Sequence, residues 1–469
     1  MDPLSSSPQV PPDGEFELDL RSRHLEELRQ VEIPVSRMPP SPWPSLPGAP
    51  SPYDQLVQWS KQALPQIQAA VARQAISPDG IDWEIEVFTL LESAAVYLRD
   101  MDKVFEAVIE AQKGTDEGDE RALQLLKDSQ SDIKKIASLW GLNFEVVCDL
   151  LKYTPEGHPF LNGPYVGVFF SKNINKPFLG LAFKGTNIAD WREVLVDLKF
   201  ALIMATGNNL WGSPIHRGFY QTMFLKFPHV QQAPIDYIKN MIDKFLVNYP
   251  VPPGIPIYLH STGHSLGGAY ATLCYAELMR LSSYNLSDFT ASVDTLQDDE
   301  HGRELGNFFS QLKARNFLLR DLYSFGCPRL GGVMNKKDWA SQYTKALYSH
   351  TGKSWRVVNE YDPVTAVPPV IPWSSTPWNH VDNGYQVSNK GYPKALPSEV
   401  GTRPGISIKP WNFPYHSTAK YFQNLYNASI AGMSGDEAKP ITVDWVEEVP
   451  PEEVWSEMEA EAQALLATE

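Results

Sequence analysis

The feature that most constrains this chain is Gly263-His264-Ser265-Leu266-Gly267, followed by Gly268 and AYATLCYAELMR. An apolar β-type run, IPIYLHS, stands before it and a helix-forming run after it, so the serine falls where a strand turns directly into a helix. Small residues two before and two after Ser265 let the backbone turn sharply enough to lift its hydroxyl above a sheet edge. The amides that follow open a helix, where unpaired donors and the helix dipole favour developing negative charge. Ser265 is the expected nucleophile, and the fold that can carry it is a layered α/β one.

A serine hydroxyl is a poor nucleophile near neutral pH until a base takes its proton, so a histidine and an orienting carboxylate are required. After an elbow of this kind the acid precedes the histidine in the chain. WRVVNEYDPVTAVPP puts Asp362 just beyond a strand-like run, in a loop bounded by proline, and Asp362 is the expected acid. Two histidines follow. His416, in FPYHSTAKYFQNLY, opens a helix-like segment near the end of the folded part and is the expected base; His380, in PWNHVDNGYQ, is expected to be structural. The oxyanion hole needs two backbone donors. The amide of Leu266 is one, and the other is expected from Thr186, where Lys184-Gly185-Thr186 leaves the strand at 178–183. His264 and His216 are read as packing groups or as supports behind the site, with no proton transfer assigned to them.

The rest of the chain frames that site. Twelve of the 39 prolines lie in the first 52 residues, so residues 1–55 are expected to be a mobile or surface-hugging arm. From Gln55 to Leu151 apolar residues recur at steps of three and four, in FTLLESAAVYLRDMDKVFEAVIEAQ and in IKKIASLWGLNFEVVCDLL, which predicts helices over both stretches and a helical extension at 56–150. Beyond it, Tyr165 to Phe170 and Phe178 to Phe183 flank SKNINK as a hairpin, and strands alternate with helices thereafter. The expected folded domain is 56–430. The tail from 431 is acidic: its last 29 residues carry nine acidic side chains and no basic one, the character of a solvated appendage.

The formal charge of −16, from 40 Lys plus Arg against 56 Asp plus Glu, argues against a protein that binds by neutralising phosphates, so no nucleic-acid partner is expected. Three scattered cysteines, Cys148, Cys274 and Cys327, offer neither a disulfide framework nor a CxxC metal site. No basic-then-apolar leader and no run of membrane-spanning length is read, which gives the expectation of a cytoplasmic chain without a transmembrane segment, able to work peripherally on lipid surfaces. No metal and no organic cofactor is expected. The oligomeric state is not read from the sequence.

Over roughly residues 135–430 the ordered motifs resemble the class 3 (fungal, Rhizomucor-type) lipases of the α/β-hydrolase superfamily. FKGTNIADW is similar to their oxyanion-hole loop and lid start, IHRGFYQ at 215–221 to their HxGF helix, and GHSLGGAYATL to their elbow. SFGCPRLGG resembles the strand-loop after the elbow, NEYDPVTAVPP the acid loop, and PWNHVDNGYQV the segment before the catalytic histidine. The resemblance implies an α/β-hydrolase fold with a central, mostly parallel sheet and a lid helix. It also implies a Ser265–Asp362–His416 triad with Thr186 and Leu266 at the oxyanion hole. Lys184 stands where the family usually has arginine.

In the lid position, Ile188, Trp191, Val194, Leu195 and Leu198 recur at steps of three and four, with Asp190, Arg192, Glu193 and Asp197 on the other face. Burying each such apolar side chain is worth ~1.5–3 kcal/mol, so the stripe must lie on protein or on lipid. It is expected to be either a hinged lid over Ser265 that opens onto an acyl surface or an ordinary core-facing helix. The chemistry expected is hydrolysis of acylglycerol-type esters through an acyl-enzyme. A protein of another class, a catalytically silent scaffold or signalling protein on a lipase-like fold, is the alternative.

Overall fold

Eight strands share one sheet, in chain order and in spatial order alike: β1 (Leu142–Asp149), β2 (Tyr165–Ser171), β3 (Phe178–Phe183), β4 (Ile257–His264), β5 (Phe317–Phe325), β6 (Ser354–Asn359), β7 (Gly384–Ser388) and β8 (Gly391–Ala395). The structure is a computed structural model. It describes residues 20–32, 50–78, 80–153, 158–185, 201–206, 209–227, 230–282, 312, 316–368, 378–381, 383–389, 391–397 and 414–434. Strands β3 to β7 pair parallel, while β1–β2, β2–β3 and β7–β8 pair antiparallel. The predicted hairpin is β2–β3, with Val166 opposite Phe183 and Phe170 opposite Leu179.

The helices are α1 (Arg21–Leu28), α2 (Pro52–Gln62), α3 (Leu64–Ala72), α4 (Trp83–Ala95), α5 (Met101–Ala111), α6 (Asp116–Ser129), α7 (Ser131–Leu139), α8 (Arg217–Phe224), α9 (Pro234–Asn248), α10 (Leu266–Ser282), α11 (Trp339–Tyr348) and α12 (Thr418–Ser434). Because strand side chains alternate in direction, the sheet divides its residues between two cores. Val166, Val168, Phe170, Leu179, Leu181 and Phe183 pack with α10 and α9 on one face. Tyr165, Phe169, Phe178 and Ala182 pack with α4, α7 and α12 on the other. A parallel sheet covered on both faces explains the near-continuous apolar strands, and the layering is the α/β arrangement that the elbow demands.

Helix α4 is the inner helix of its face, buried from Ile85 to Ala95. Its polar side chains meet β4: Glu92 Oε2 lies 2.7 Å from His260 Nε2, and the hydroxyls of Ser93 and Thr262 are 2.8 Å apart. These contacts pair polar side chains across an otherwise apolar interface.

Two expectations are corrected. The stretch IKKIASLWGLNFEVVCDLL is not all helix: α7 ends at Leu139, Gly141 adopts a left-handed φ of 77°, and β1 follows. Glycine supplies that conformation without a Cβ penalty, and the β-branched FEVVCD run then pairs with β2 as the sheet's edge. The helical extension therefore contributes a strand to the main sheet. Within the segment expected to be an arm, residues 20–32 are ordered: α1 buries Leu25 and Leu28, with Leu20 and Val31 beside them, in the α10-side core. Residues 1–19, 33–49 and 435–469, which include the acidic tail, lie outside the described residues.

Candidate active site

At the carboxyl ends of parallel strands the chain must leave the sheet, and successive exits converge on one edge. Here β3 ends at Phe183 and leads to Lys184-Gly185, β4 ends at His264 and leads to Ser265, β5 leads to Gly326, and β6 leads to Asp362. Ser265 is the single residue between β4 and α10, and its φ of 60° is left-handed. A non-glycine residue held there costs on the order of 1–3 kcal/mol and persists only where its surroundings fix it. They do: the Ser265 N–H donates to Phe325 O at 2.8 Å, and the Gly268 N–H donates to Ser265 O at 2.9 Å.

The two flanking glycines are required by contact. A Cβ on Gly263 would sit 2.2 Å from Gly267 O, and one on Gly267 would sit 2.1 Å from Phe183 O and 2.9 Å from the Gly185 nitrogen. The end of β3 thus presses against the first turn of α10, which brings the oxyanion-side loop to the elbow. Leu266 is the first residue of α10. Gly185 is described and buried, while Thr186 and the predicted lid residues Ile188, Trp191, Val194, Leu195 and Leu198 lie outside the described residues.

Asp362 and His416 are in direct contact. His416 Nδ1 lies 2.8 Å from Asp362 Oδ2 and 3.0 Å from Oδ1. Asp362 Oδ1 also accepts the Val364 N–H at 2.9 Å, and Oδ2 accepts the Tyr421 hydroxyl at 2.6 Å. With both oxygens occupied by donors the carboxylate has one orientation, aimed at the imidazole. Burial and the facing carboxylate push the Tyr421 phenol well above its ordinary range, so it stays a donor.

His416 lies beside the elbow. Its ring lies 4.6 Å from that of His264, tilted by 30°, and His264 Nε2–H donates to His416 O at 2.7 Å. A Cβ on Gly326, the residue after the carbonyl that holds Ser265 N–H, would lie 2.8 Å from His416 Cε1 and 2.9 Å from Asp362 Oδ2. Ser265, His416 and Asp362 therefore lie at one edge of the sheet, around the β5 exit at Gly326. Burial, with the nearby His416 adding to it, holds the His264 imidazole well below its ordinary pKa. Neutral His264 can then donate through Nε2 and accept through Nδ1, towards which the Tyr97 hydroxyl stands at 3.5 Å.

The other histidines sit apart from this chemistry. His380 Nε2–H donates to Thr365 O at 2.7 Å, bracing the acid loop from behind. His216 packs against Phe219 at 4.4 Å, and burial brings it down to about 3. Lys184 donates to Gly163 O at 3.1 Å and lies over the Tyr97 ring at 5.4 Å, so it ties the oxyanion-side loop to the start of β2. Tyr421 and Tyr97 were not singled out by the sequence reasoning. The only trace of the first is its spacing five residues beyond His416, on the face of α12 turned to the acid loop.

The three cysteines are free and buried. Among the described residues no group of His, Cys, Asp or Glu is arranged to hold a metal ion, and no helix is long and apolar enough to cross a membrane.

Residues 180–296, which run from β3 through the elbow and α10, match the family model for Lipase (class 3). No curated protein matches the chain. Among solved structures, a lipase from Rhizopus microsporus var. chinensis is similar at 18% identity over 73% of this chain and 86% of its own, with a TM-score of 0.33. The mono- and diacylglycerol lipase from Aspergillus oryzae is similar at 14% identity over 76% and 93%, with a TM-score of 0.34. The Rhizomucor miehei lipase propeptide complex is similar at 21% identity over 54% of this chain, with a TM-score of 0.31, and the match spans only 58% of that chain. The likeness to the class 3 lipases is carried by residues 180–296, the stretch that runs into and out of the Ser265 turn.

Proposed function

We propose that this chain is a serine carboxylic-ester hydrolase acting on acylglycerol-type esters through an acyl-enzyme. The observation that carries the reading is the Asp362–His416 contact at 2.8 Å, set against the strained elbow that holds Ser265. Ser265 Oγ attacks the ester carbonyl while His416 takes its proton, and Asp362 stabilises the imidazolium without being protonated itself. The carbonyl oxygen becomes an alkoxide that accepts hydrogen bonds from the Leu266 and Thr186 amides. Collapse expels the alcohol, which receives the proton from His416. Water, deprotonated by the same imidazole, then releases the acid and restores Ser265. No step calls for a metal or an organic cofactor.

A fluorophosphonate probe tests the reading. The full chain is expected to become labelled on Ser265 and the Ser265→Ala variant to remain unlabelled. Failure of the full chain to label with and without detergent would favour the silent scaffold.

The apolar stripe Ile188, Trp191, Val194, Leu195 and Leu198 is proposed to cover Ser265 and to open onto an acyl surface. Hydrolysis of a short-chain ester is then expected to rise steeply where the substrate passes its solubility limit. A rate that stays level through that limit would count against a moving lid.

A further inference from the structure

We propose that helix α1 is an intramolecular positioning element for the hydrolytic site, acting through His24, Asp149, Arg99 and Tyr97 on the oxyanion-side loop. The inference rests on the ester-hydrolase reading. It adds to that reading a control element drawn from the proline-rich N-terminal segment, outside the catalytic layers.

The argument begins with charge. Asp149, at the end of β1, is fully buried, and so is Arg99, whose guanidinium donates to its two oxygens at 2.6 and 3.2 Å. His24 of α1 contacts Asp149 Oδ2 from the other side. Burying a carboxylate in this way is tolerated only when its partners are held in place, and His24 is one of them. Helix α1 therefore adds His24 as a further partner to a buried carboxylate that Arg99 already pairs.

The cluster sits on the catalytic edge of the sheet. Since β1 is antiparallel to β2 and β2 to β3, the end of β1 lies at the same edge as the end of β3. Arg99 rests over the ring of Tyr165 at 4.5 Å, and the Tyr165 hydroxyl donates to Val96 O. Tyr165 O in turn accepts the N–H of Lys184 at 2.9 Å, where the oxyanion-side loop begins.

From Arg99 the chain runs back through the short 3-10 turn Val96–Leu98 to Tyr97. The Tyr97 hydroxyl lies against Gly185, 2.8 Å from the position a Gly185 Cβ would take. It also faces His264 Nδ1 at 3.5 Å, and His264 holds the His416 carbonyl. The polar groups follow one another in space, from the Gly185 backbone to the Tyr97 hydroxyl, from there to His264 Nδ1, and from His264 Nε2–H to His416 O. One tyrosine thus touches both the loop that binds the alkoxide and the histidine that seats the base. Its own position is set by the strap that Arg99 anchors. Contiguous two-partner contacts of this kind are the physical route by which a distant docking event biases a site.

His24→Leu in the full chain, which keeps apolar volume and removes the contact to Asp149, is expected to lower kcat on a soluble short-chain ester about 3- to 30-fold, with KM within about twofold. His24→Gln, which retains a donor, is expected to recover most of the loss. Tyr97→Phe should reproduce the fall, and the double variant should fall no further, since both changes interrupt one chain of contacts. Arg29→Ala, which removes the exposed pair between Arg29 and Asp119, is expected to leave kcat unchanged. Circular dichroism is expected to show the native fold in all of them. An unchanged kcat in His24→Leu, multiplicative losses in the double variant, or unfolding of both His24 variants would overturn the proposal. Hydrolysis by Ser265→Ala at the wild-type rate would instead overturn the hydrolase reading itself.

Discussion

Ser265→Ala is expected to lower kcat for ester hydrolysis about 10⁶-fold, and His416→Ala nearly as far, while the double variant falls no lower than either alone. The non-additivity follows from the arrangement: the base has no proton to take without the hydroxyl, and the hydroxyl has no acceptor without the base. Asp362→Asn is expected to cost about 10⁴, for a different reason. The carboxylate now accepts from the Val364 amide, the Tyr421 hydroxyl and His416 Nδ1. An amide there would turn a donor towards one of these donors and favour the imidazole tautomer that protonates the wrong nitrogen. Steady-state kcat on a soluble p-nitrophenyl ester, with single-turnover acylation beside it, measures all four variants. Activity that survives in His416→Ala and vanishes in His380→Ala would move the base to His380, against the 2.7 Å contact that commits His380 to the Thr365 carbonyl.

The parts of this site that were legible in the sequence are those fixed by local geometry. Gly263 and Gly267 betray the elbow because the contact that forbids their side chains lies within one turn of the chain and one neighbouring strand. Asp362 is legible because a proline-bounded loop after an apolar run can only lie at a strand exit. The order of acid and base leaves His380 and His416, and the helix-like segment that His416 opens near the end of the folded part selects it. What stayed hidden depends on contacts across the fold. Tyr421 matters only because α12 docks against the acid loop, and Tyr97 only because the strap after α4 crosses the end of β3. His264 is legible as a packing or supporting group, but its hydrogen bond to the His416 carbonyl follows only from the approach of the two rings to 4.6 Å. Strand β1 was read as helix because Phe144, Val147 and Leu151 also fall at steps of three and four, and only pairing with β2 decides between the two periods. Helix α1 was masked by the proline-rich stretches on either side, although RSRHLEEL itself contains no proline. Composition averaged over 55 residues outweighed eight that were ordinary helix.

Gly267→Ala is the second large effect expected, and it separates the oxyanion geometry from the triad. The added methyl would lie 2.1 Å from Phe183 O and 2.9 Å from both Phe183 C and Gly185 N, all backbone atoms. Nothing flexible can yield. Phe183 is paired with Gly263 across β3 and β4 and with Val166 across β2 and β3, so relief must come from moving the β3 exit away from the elbow or the first turn of α10 away from the sheet. Overpacking of this sort costs roughly 1–3 kcal/mol and more where backbone is the obstacle. Either movement separates the Gly185-Thr186 amides from that of Leu266, and loss of one oxyanion donor is worth on the order of 10²–10³ in kcat. The expected result is a variant of reduced melting temperature whose kcat falls by at least that factor, while a fluorophosphonate, whose reaction also needs the hole, labels it correspondingly slowly. Gly254→Ala is the control: that glycine has a φ of 83° and no atom within 4 Å of an added Cβ, so it carries the left-handed backbone cost of roughly 1–2 kcal/mol with no change in rate. Should Gly267→Ala keep kcat within threefold of the parent, the β3 exit and the elbow would have to part without consequence, and the alkoxide would need donors other than those where Lys184-Gly185 meets Leu266.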